Sequence, residues 1–368
     1  MRMVWTIVMI VVLLVMTVGT VYMTRAVGRF AWIRRAGGEK RWRRRILSLL
    51  ILVTGFCLAL FLTSLLNAIV IYLHFLGYFL LFGLLMRLIR KLSGKTFRVY
   101  WQGWLAITAS LLTLGAGYYL CTNVWKTEYH LTTGQLEGNL KLAFFADSHI
   151  GATFDGEGFV RELKEIEAQK PDLLLIAGDF VDDFTTREDM YTACEALGKA
   201  DFPLGVWYSY GNHDTGNYVG KKFSDGELKT ALSDNGIHVL EDECELVDGR
   251  FYVAGRLDYS LEPRKDMDEL LAGIDRDKYV IVMDHQPNDY DAEADSDADL
   301  VVSGHTHGGQ MIPFTKAGEL THSYERAYGY ERRKNTDFIV TSGIADWVLL
   351  FKTGTKSEYV IVNVQGKN

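Results

Sequence analysis

The sequence predicts an all-α membrane region of four helices followed by one α/β domain. The residues before Trp125 contain 15 Lys and Arg but only one acidic residue, Glu39, so this part carries a charge of +14 and the remainder a charge of −21. Long uncharged apolar runs fill the basic part. Short apolar runs alternate with helical stretches in the acidic part, a pattern typical of layered α/β domains. The acidic part would repel a phosphate backbone, which argues against nucleic acid as a partner.

Four apolar segments define a membrane region over residues 1–125. Met3–Met23 has 21 uncharged residues, enough at 1.5 Å per residue to cross a hydrocarbon core of roughly 30 Å. Ile46–Met86 has 41 uncharged residues, which fit two spans with a turn near residues 64–67, and Tyr100–Leu120 supplies the fourth. The predicted helices cover about 3–23, 46–66, 68–86 and 100–120.

Two basic loops predict the orientation of a multi-pass cell-membrane protein. Nine Lys and Arg separate the first two spans and five separate the last two, so both loops should be cytoplasmic. The acidic domain would then be extracytoplasmic. The alternative, a cleaved signal peptide over Met1–Thr20, would leave the first basic loop outside. His74 is the main ionisable side chain within the spans, which favours an anchor over a channel or pump.

A linker at 126–139 and one α/β domain at 140–368 are predicted after the membrane region. The candidate strands cover 140–146, 173–177, 205–210, 251–255, 279–283, 300–302, 338–341 and 359–364, and the candidate helices 159–170, 187–199 and 227–235. Strands interleaved with helices place the functional site in the loops at the strand ends.

Five of these strands run directly into clusters of Asp, His or Asn. In extended backbone, residues two apart point the same way, so Asp147 with His149, and His305 with His307, would form ligand pairs. Imidazole, carboxylate and amide groups without thiolate suit Mn, Fe or Zn. One such cluster could be an ordinary turn, but burying five together is costly without a cation. The clusters are Asp147-Ser148-His149, Gly178-Asp179, Gly211-Asn212-His213-Asp214, Asp284-His285 and Gly304-His305-Thr306-His307.

In this order the clusters resemble the five blocks of the calcineurin-like metallophosphoesterase superfamily: D-x-H, G-D-x-x-D, G-N-H-D/E, H and G-H-x-H. The resemblance covers residues 140–364. The extended form G-H-T-H-G-G-Q, with a membrane region before it, is similar to a subgroup that includes membrane-associated phosphodiesterases acting on lipid or UDP-sugar-lipid substrates. The resemblance implies a four-layer α-β-β-α sandwich with two mixed sheets.

The resemblance also implies a role for each residue. One divalent ion would be held by Asp147, His149, Asp179 and His307, and a second by Asp179, Asn212, His285 and His305. His213 would be the general acid, Asp214 its orienting partner, and Asp182 a support for the ligands. Lys352 would replace an Arg that the subgroup carries and would face the substrate.

The predicted activity is hydrolysis of a phosphoester, most simply a phosphodiester, by two ions that activate a bridging water. The substrate is expected to be lipid-linked. Soluble nucleotides or phosphoproteins are the alternative substrates, and a non-catalytic membrane sensor or scaffold is the alternative function. The stretch 313–336, with the basic run Arg332-Arg333-Lys334, is either a substrate-facing loop or a solvated surface. A disulfide between Cys194 and Cys244 is left open, as is the oligomeric state.

Overall fold

A computed structural model describes residues 2–95, 97–215, 220–261 and 263–367. The chain forms two compact units, which divide between Ala116 and Gly117. The first unit is helical and the second holds every strand of the described residues. The helices up to Thr122 are α1 (Arg2–Val27), α2 (Ala31–Gly37), α3 (Arg41–Leu62), α4 (Leu65–Ser93) and α5 (Trp101–Thr122).

Four helices in the described residues are long and apolar enough to cross a membrane. They are Met9–Val27, Arg41–Leu62, Leu65–Ser93 and Trp101–Thr122, with mean hydropathies of 1.9, 2.4, 2.2 and 1.4. Most of their apolar side chains are exposed, as lipid contact requires. The turn between α3 and α4 lies at residues 63–64, where Ser64 caps α4 by accepting a hydrogen bond from the Asn67 amide at 3.3 Å. Short helix α2 lies within the first basic loop.

The second unit contains two six-stranded sheets. The strands are β1 (Val124–Glu137), β2 (Asn139–Phe145), β3 (Leu173–Ala177), β4 (Val206–Ser209), β5 (His238–Leu240), β6 (Glu243–Val247), β7 (Phe251–Gly255), β8 (Tyr279–Met283), β9 (Leu300–Ser303), β10 (Gly329–Arg333), β11 (Thr336–Val340) and β12 (Ser357–Lys367). The strand orders are β1-β12-β2-β3-β4-β5 and β10-β11-β9-β8-β7-β6. Both sheets are mixed: β2 to β5 and β7, β8, β9 and β11 are parallel, while β12, β6 and β10 pair antiparallel.

Helices cover the outer faces of both sheets, which gives the four α-β-β-α layers. These helices are α6 (Gly156–Glu167), α7 (Arg187–Lys199), α8 (Asp225–Asp234), α9 (Met267–Leu270) and α10 (Tyr290–Asp295), whereas α11 (Ala317–Leu320) buries none of its residues. One apolar core lies between the sheets. A second lies under α6, α7 and α8, and a third under α9 and α10. These cores fix the parallel strands and therefore the loops at their ends.

The linker expected at 126–139 is wrong for most of its length, because β1 occupies Val124–Glu137 and pairs in parallel with β12. Strand β1 lies at a sheet edge, with most of its side chains solvated, so its sequence lacks the apolar run of a buried strand. Strands β5, β6 and β10 were also not predicted, because they are short or exposed and lack an apolar run. All four cysteines are free thiols, so Cys194 and Cys244 do not form a disulfide.

Candidate metal centre

The five clusters meet at one edge of the sandwich, where the parallel strands end. Strands β2, β3 and β4 of the first sheet and β8 and β9 of the second each end next to a cluster. The two sheets are joined there by the Asp147 carboxylate, which accepts hydrogen bonds from the His305 amide at 3.0 and 2.9 Å. The carboxyl ends of parallel strands are the usual position of a site in such sheets.

The side chains form two adjacent groups whose ligand atoms lie within 4.8 Å of one another. One group contains Asp147, His149 and His307, and the other contains Asp179, His285 and His305. Oδ2 of Asp179 lies 3.6 Å from Nε2 of His149 and 3.1 Å from Nε2 of His285, so this carboxylate stands between the groups. Strand periodicity alone predicted that His305 and His307 would bracket one ion as a pair, whereas the family resemblance assigned them to different ions. The structure places them in different groups.

Backbone conformation explains that difference. Asp147, His149, Asp179, His305 and His307 all have positive φ, between 36° and 68°. The extended geometry on which the pairing argument relied is therefore absent from these residues. Non-glycine residues adopt this left-handed region at a cost and are found there mainly at functional sites.

His285 provides a direct test of whether these residues suit a cation. Its Nδ1 lies 2.8 Å from the carbonyl oxygen of Ala177, and because a carbonyl only accepts, Nδ1 carries the proton. In the neutral ring, Nε2 then directs a lone pair at the Asp179 carboxylate 3.1 Å away. Two lone pairs at this distance repel each other unless a proton or a metal ion lies between them.

Two of the other three imidazoles, those of His149 and His307, repeat this arrangement. Nδ1 of His149 lies 3.2 Å from Oδ2 of Asp182, and Nδ1 of His307 lies 3.0 Å from Oδ1 of Asp346. Their Nε2 atoms face the carboxylates of the two groups. Oδ1 of Asn212 is buried and has no hydrogen-bond partner in the described part of the chain. Metal-binding histidines are usually held in this way through the second ring nitrogen, so the residues fit a pair of divalent ions.

Electrostatics at the centre are dominated by burial and by the carboxylates. Burial opposes the charged form of His285, but Asp179 overcomes it and raises the pKa of that ring. Although burial opposes ionisation of Asp179, His285 and His149 hold its pKa well below the usual range. Burial, with His285 nearby, lowers the pKa of His305 to about 4. Burial therefore favours the neutral form of His305, the form that binds metal.

Glycines allow close backbone approach at the centre, between the two sheets at Gly304 and within the first sheet at Gly211. A Cβ atom on Gly304 would lie 2.3 Å from Cβ of Ala146 and 2.6 Å from Oδ2 of Asp147. A Cβ atom on Gly211 would lie 2.3 Å from Oδ1 of Asp179. Any side chain at either position would displace a ligand.

His213 lies beside the two groups, at the open side of the centre. The centroid of its ring is 5.1 Å from that of His149 and 5.0 Å from that of Trp347, and burial lowers its pKa. Both oxygens of Asp214 accept backbone hydrogen bonds, from the amides of Phe180, Val181 and Gly211 at 2.8 to 3.0 Å. These contacts give Asp214 the role of joining two ligand loops, and its role as orienting partner of His213 remains a prediction.

Comparison with known proteins agrees with this geometry. The family model of calcineurin-like phosphoesterases matches residues 140–309. An uncharacterized metallophosphoesterase of Aquifex aeolicus is 31% identical over 265 residues, which are 69% of this chain and 97% of that protein. The chain belongs to the calcineurin-like phosphoesterase family.

Two further members of the family extend the comparison. A Caenorhabditis elegans protein that carries the metallophosphoesterase name is 31% identical over 56% of this chain, but the match spans only 44% of that protein. A Bos taurus protein named as a transmembrane protein with a metallophosphoesterase domain is 25% identical over 60% of this chain and 52% of its own length. Together with the four apolar helices, this similarity indicates a multi-pass membrane member of the calcineurin-like phosphoesterase family.

The structure contradicts the expected role of Lys352 and, for the basic run 332–334, favours the alternative of a solvated surface. Lys352 is fully buried, and its ammonium donates a hydrogen bond to the Ser342 carbonyl at 2.7 Å instead of facing a substrate. Arg332 and Arg333 belong to β10, in which Gly329 pairs with Val340 near the metal edge and Arg333 pairs with Thr336 at the far end. The basic run therefore lies at the opposite end of the sheet, where its side chains form ion pairs.

One residue of the centre was missed by the sequence argument. Asp346 is buried and approaches His307, yet its position in the loop after β11 matches no ligand spacing. The only available signal was that Asp346 follows a predicted strand end, as the ligands do. Asp182, which the family resemblance did indicate, lies against His149.

Proposed function

We propose that the protein is a membrane-anchored phosphodiesterase of the calcineurin-like family that hydrolyses a lipid-linked phosphoester. Asp147, His149, Asp179 and His307 would hold one divalent ion. Asp179, Asn212, His285 and His305 would hold the other. When bound, the two ions would activate a water molecule and neutralise charge on the phosphoryl oxygens. Their identity would be Mn, Fe or Zn, because the donors are imidazole, carboxylate and amide.

His213 would supply the remaining chemistry from the protein. Its ring lies between the His149 ligand and the exposed Trp347 side chain, so it can reach an oxygen that leaves on the solvent side. A histidine at that point donates a proton or hydrogen bond to the leaving oxygen. Buried carboxylates keep the backbone of the neighbouring loops fixed, as Asp179 does by accepting a 2.8 Å hydrogen bond from the His213 amide.

The lipid-linked proposal depends on the position of the metal centre, which lies at the sheet edge next to the end of α5. Val124, which follows α5 directly, pairs with Ser357, and β12 then runs antiparallel to β2 so that Val360 faces Phe144. The end of the fourth apolar helix therefore adjoins the edge at which Asp147 lies. This connection supports the proposal that the substrate is lipid-linked.

Exposed apolar side chains surround this edge. Ile312 and Phe314, which follow the His307 ligand loop, are 62% and 69% exposed, and Trp347 and Phe184 are 39% and 50% exposed. The Ile312 amide donates a 3.0 Å hydrogen bond to Thr353, beside the Gly117 backbone in the last turns of α5. We call Ile312, Phe314, Trp347 and Phe184 the apolar rim. Exposed apolar groups near a site typically mark contact with apolar substrate or membrane.

The decisive assay compares matched substrates. Full-length protein in detergent with Mn²⁺ should hydrolyse bis-p-nitrophenyl phosphate, and kcat/KM for a phospholipid diester should exceed that for the same headgroup without acyl chains. Equal values would favour soluble substrates, and no turnover by protein that binds two ions would favour a scaffold. Phe314→Ser should lower kcat/KM for the phospholipid diester but not for the headgroup without acyl chains. Leu246→Ser is the control, because Leu246 is also exposed but pairs with Tyr252, away from the metal edge.

We also propose that the phosphoesterase domain is extracytoplasmic. The two basic loops, 25–45 and 87–98, favour the cytoplasmic side, which places Val124 and the chain after it on the other side. Asp268 is exposed in this domain and is suitable for a label. An impermeant maleimide should modify an Asp268→Cys variant in intact cells. Labelling only after lysis would reverse the proposed topology.

A further inference from the structure

We infer that Asp346 is a positioning residue for the metal ligand His307 and that it connects this ligand to the last turn of α5. The inference rests on the proposed metal centre but concerns a residue outside the predicted ligand set. Oδ1 of Asp346 lies 3.0 Å from Nδ1 of His307, and neither atom has a hydrogen-bond partner elsewhere in the described residues. Each is therefore the available partner of the other.

The position of the proton on His307 follows from this contact. A carboxylate only accepts, so Asp346 retains the proton on Nδ1 and leaves Nε2 with a free lone pair. Nε2 lies 3.8 Å from Oδ1 of Asp147, in the first ligand group. His307 is 14% exposed at its side chain, whereas His149 in the same group is fully buried. The less enclosed ring has more freedom to turn and depends more on its second nitrogen.

The other oxygen of Asp346 is held by two buried groups. Oδ2 accepts a hydrogen bond from the Cys121 thiol at 3.1 Å and lies 3.4 Å from the ammonium of Lys352. Lys352 also donates to the Ser342 carbonyl at 2.7 Å and to the Ser357 hydroxyl at 3.3 Å. A buried carboxylate persists as an anion only when such partners compensate its desolvation. Lys352 thus stabilises the metal centre indirectly, by compensating the charge of the Asp346 carboxylate.

Cys121 belongs to the last turn of α5, and this turn is fixed to the phosphoesterase domain. The Ser357 hydroxyl donates a 2.7 Å hydrogen bond to the Cys121 carbonyl, and the Lys352 amide donates one of 3.0 Å to the Gly117 carbonyl. The Cys121 thiol therefore reaches the proposed ligand His307 through two contacts, its hydrogen bond to Asp346 and the 3.0 Å approach of Asp346 to His307. A shift of this turn would act on the orientation of the His307 ring.

Metal affinity tests the inference independently of turnover. In full-length apo-protein titrated with Mn²⁺ by calorimetry, Asp346→Asn should weaken binding at one of two sites by about 10- to 100-fold, and kcat should recover at saturating Mn²⁺. Cys121→Ala should cause a smaller decrease at the same site. The control is Asp299→Asn. Asp299 is also buried but lies at the far end of the sheets, where its carboxylate accepts a hydrogen bond from the Val280 amide.

Three outcomes separate the possibilities. An Asp346→Asn variant that melts at a lower temperature yet binds both ions within twofold of wild type overturns the inference, because its role is then only structural. A second outcome is that wild-type protein binds two ions but hydrolyses none of the esters, and that the Asp346→Asn variant binds one of the two ions more weakly. This outcome supports the inference and overturns the proposed activity. Wild-type protein that binds no Mn²⁺, Fe²⁺ or Zn²⁺ overturns both.

Discussion

Replacement of Gly304 by alanine should weaken metal binding, although it adds only one methyl group. The added Cβ would lie 2.3 Å from Cβ of Ala146 and 2.6 Å from Oδ2 of Asp147. Carbon atoms in contact are normally 3.5 to 4.0 Å apart, so one backbone must move by about 1 Å. The Asp147 side chain cannot rotate away without losing the hydrogen bonds that its two oxygens accept from the His305 amide at 3.0 and 2.9 Å. The overlap should cost about 1 to 3 kcal/mol of stability.

The functional effect should exceed the loss of stability. A displacement of 1 Å in a positioned group can reduce rate by about 10²-fold, so Gly304→Ala should lose at least that factor in turnover and retain less metal after dialysis. Elemental analysis and urea denaturation measure both quantities. Gly226→Ala in α8 is the control, since its Cβ would meet nothing closer than 3.9 Å. If Gly304→Ala retained two ions and wild-type turnover, the close approach of the sheets would not constrain Asp147.

Three further predictions concern single side chains. His213→Ala should reduce turnover by about 10²- to 10⁴-fold with metal content unchanged; elemental analysis showing loss of metal would make His213 a ligand instead of an acid. Asp182→Asn should weaken metal affinity by about 10- to 100-fold, because the carboxylate holds Nδ1 of His149, and unchanged affinity by calorimetry would contradict this. Burial raises the pKa of Asp299 from 3.8 to about 6, so the unfolded chain ionises first and the folded state loses up to about 3 kcal/mol between pH 4 and pH 6. Asp299→Asn should therefore gain stability to urea at pH 7 but not below pH 4, and an equal gain at both pH values would refute the assignment.

The interior of the fold was predictable because buried strands consist of unbroken apolar runs. Strands β3, β7 and β8 have the predicted bounds, and α7 does as well. Prediction failed where the sheet meets water. In β1 and β10 the outward side chains are polar, so pairing with β12 and β11 leaves no mark in the sequence that distinguishes these strands from a loop.

The metal-site residues were predictable as a set from strand ends, and the family resemblance also divided them between two ions, but strand geometry alone paired His305 and His307 wrongly. Asp or His after a buried strand indicates a site because strand ends converge, whatever the loop conformation. The division of His305 and His307 between two groups depends on left-handed backbone at both residues, which no local pattern encodes for histidine. Asp346 was missed and Lys352 was given the wrong role for a related reason, since the importance of both arises from contacts with residues distant in the chain.

Each ligand group draws on both sheets, and this fixes when the centre can form during synthesis. Asp147 and His149 come from the first sheet, whereas His307 is translated more than 150 residues later. The four apolar helices leave the ribosome before any ligand does. A nascent chain therefore enters the bilayer before it can assemble either ligand group, and a truncated product that ends before Gly304 lacks a ligand from both groups. Hydrolytic capacity would be acquired only after residues 304–307 have been translated and the chain has reached its membrane.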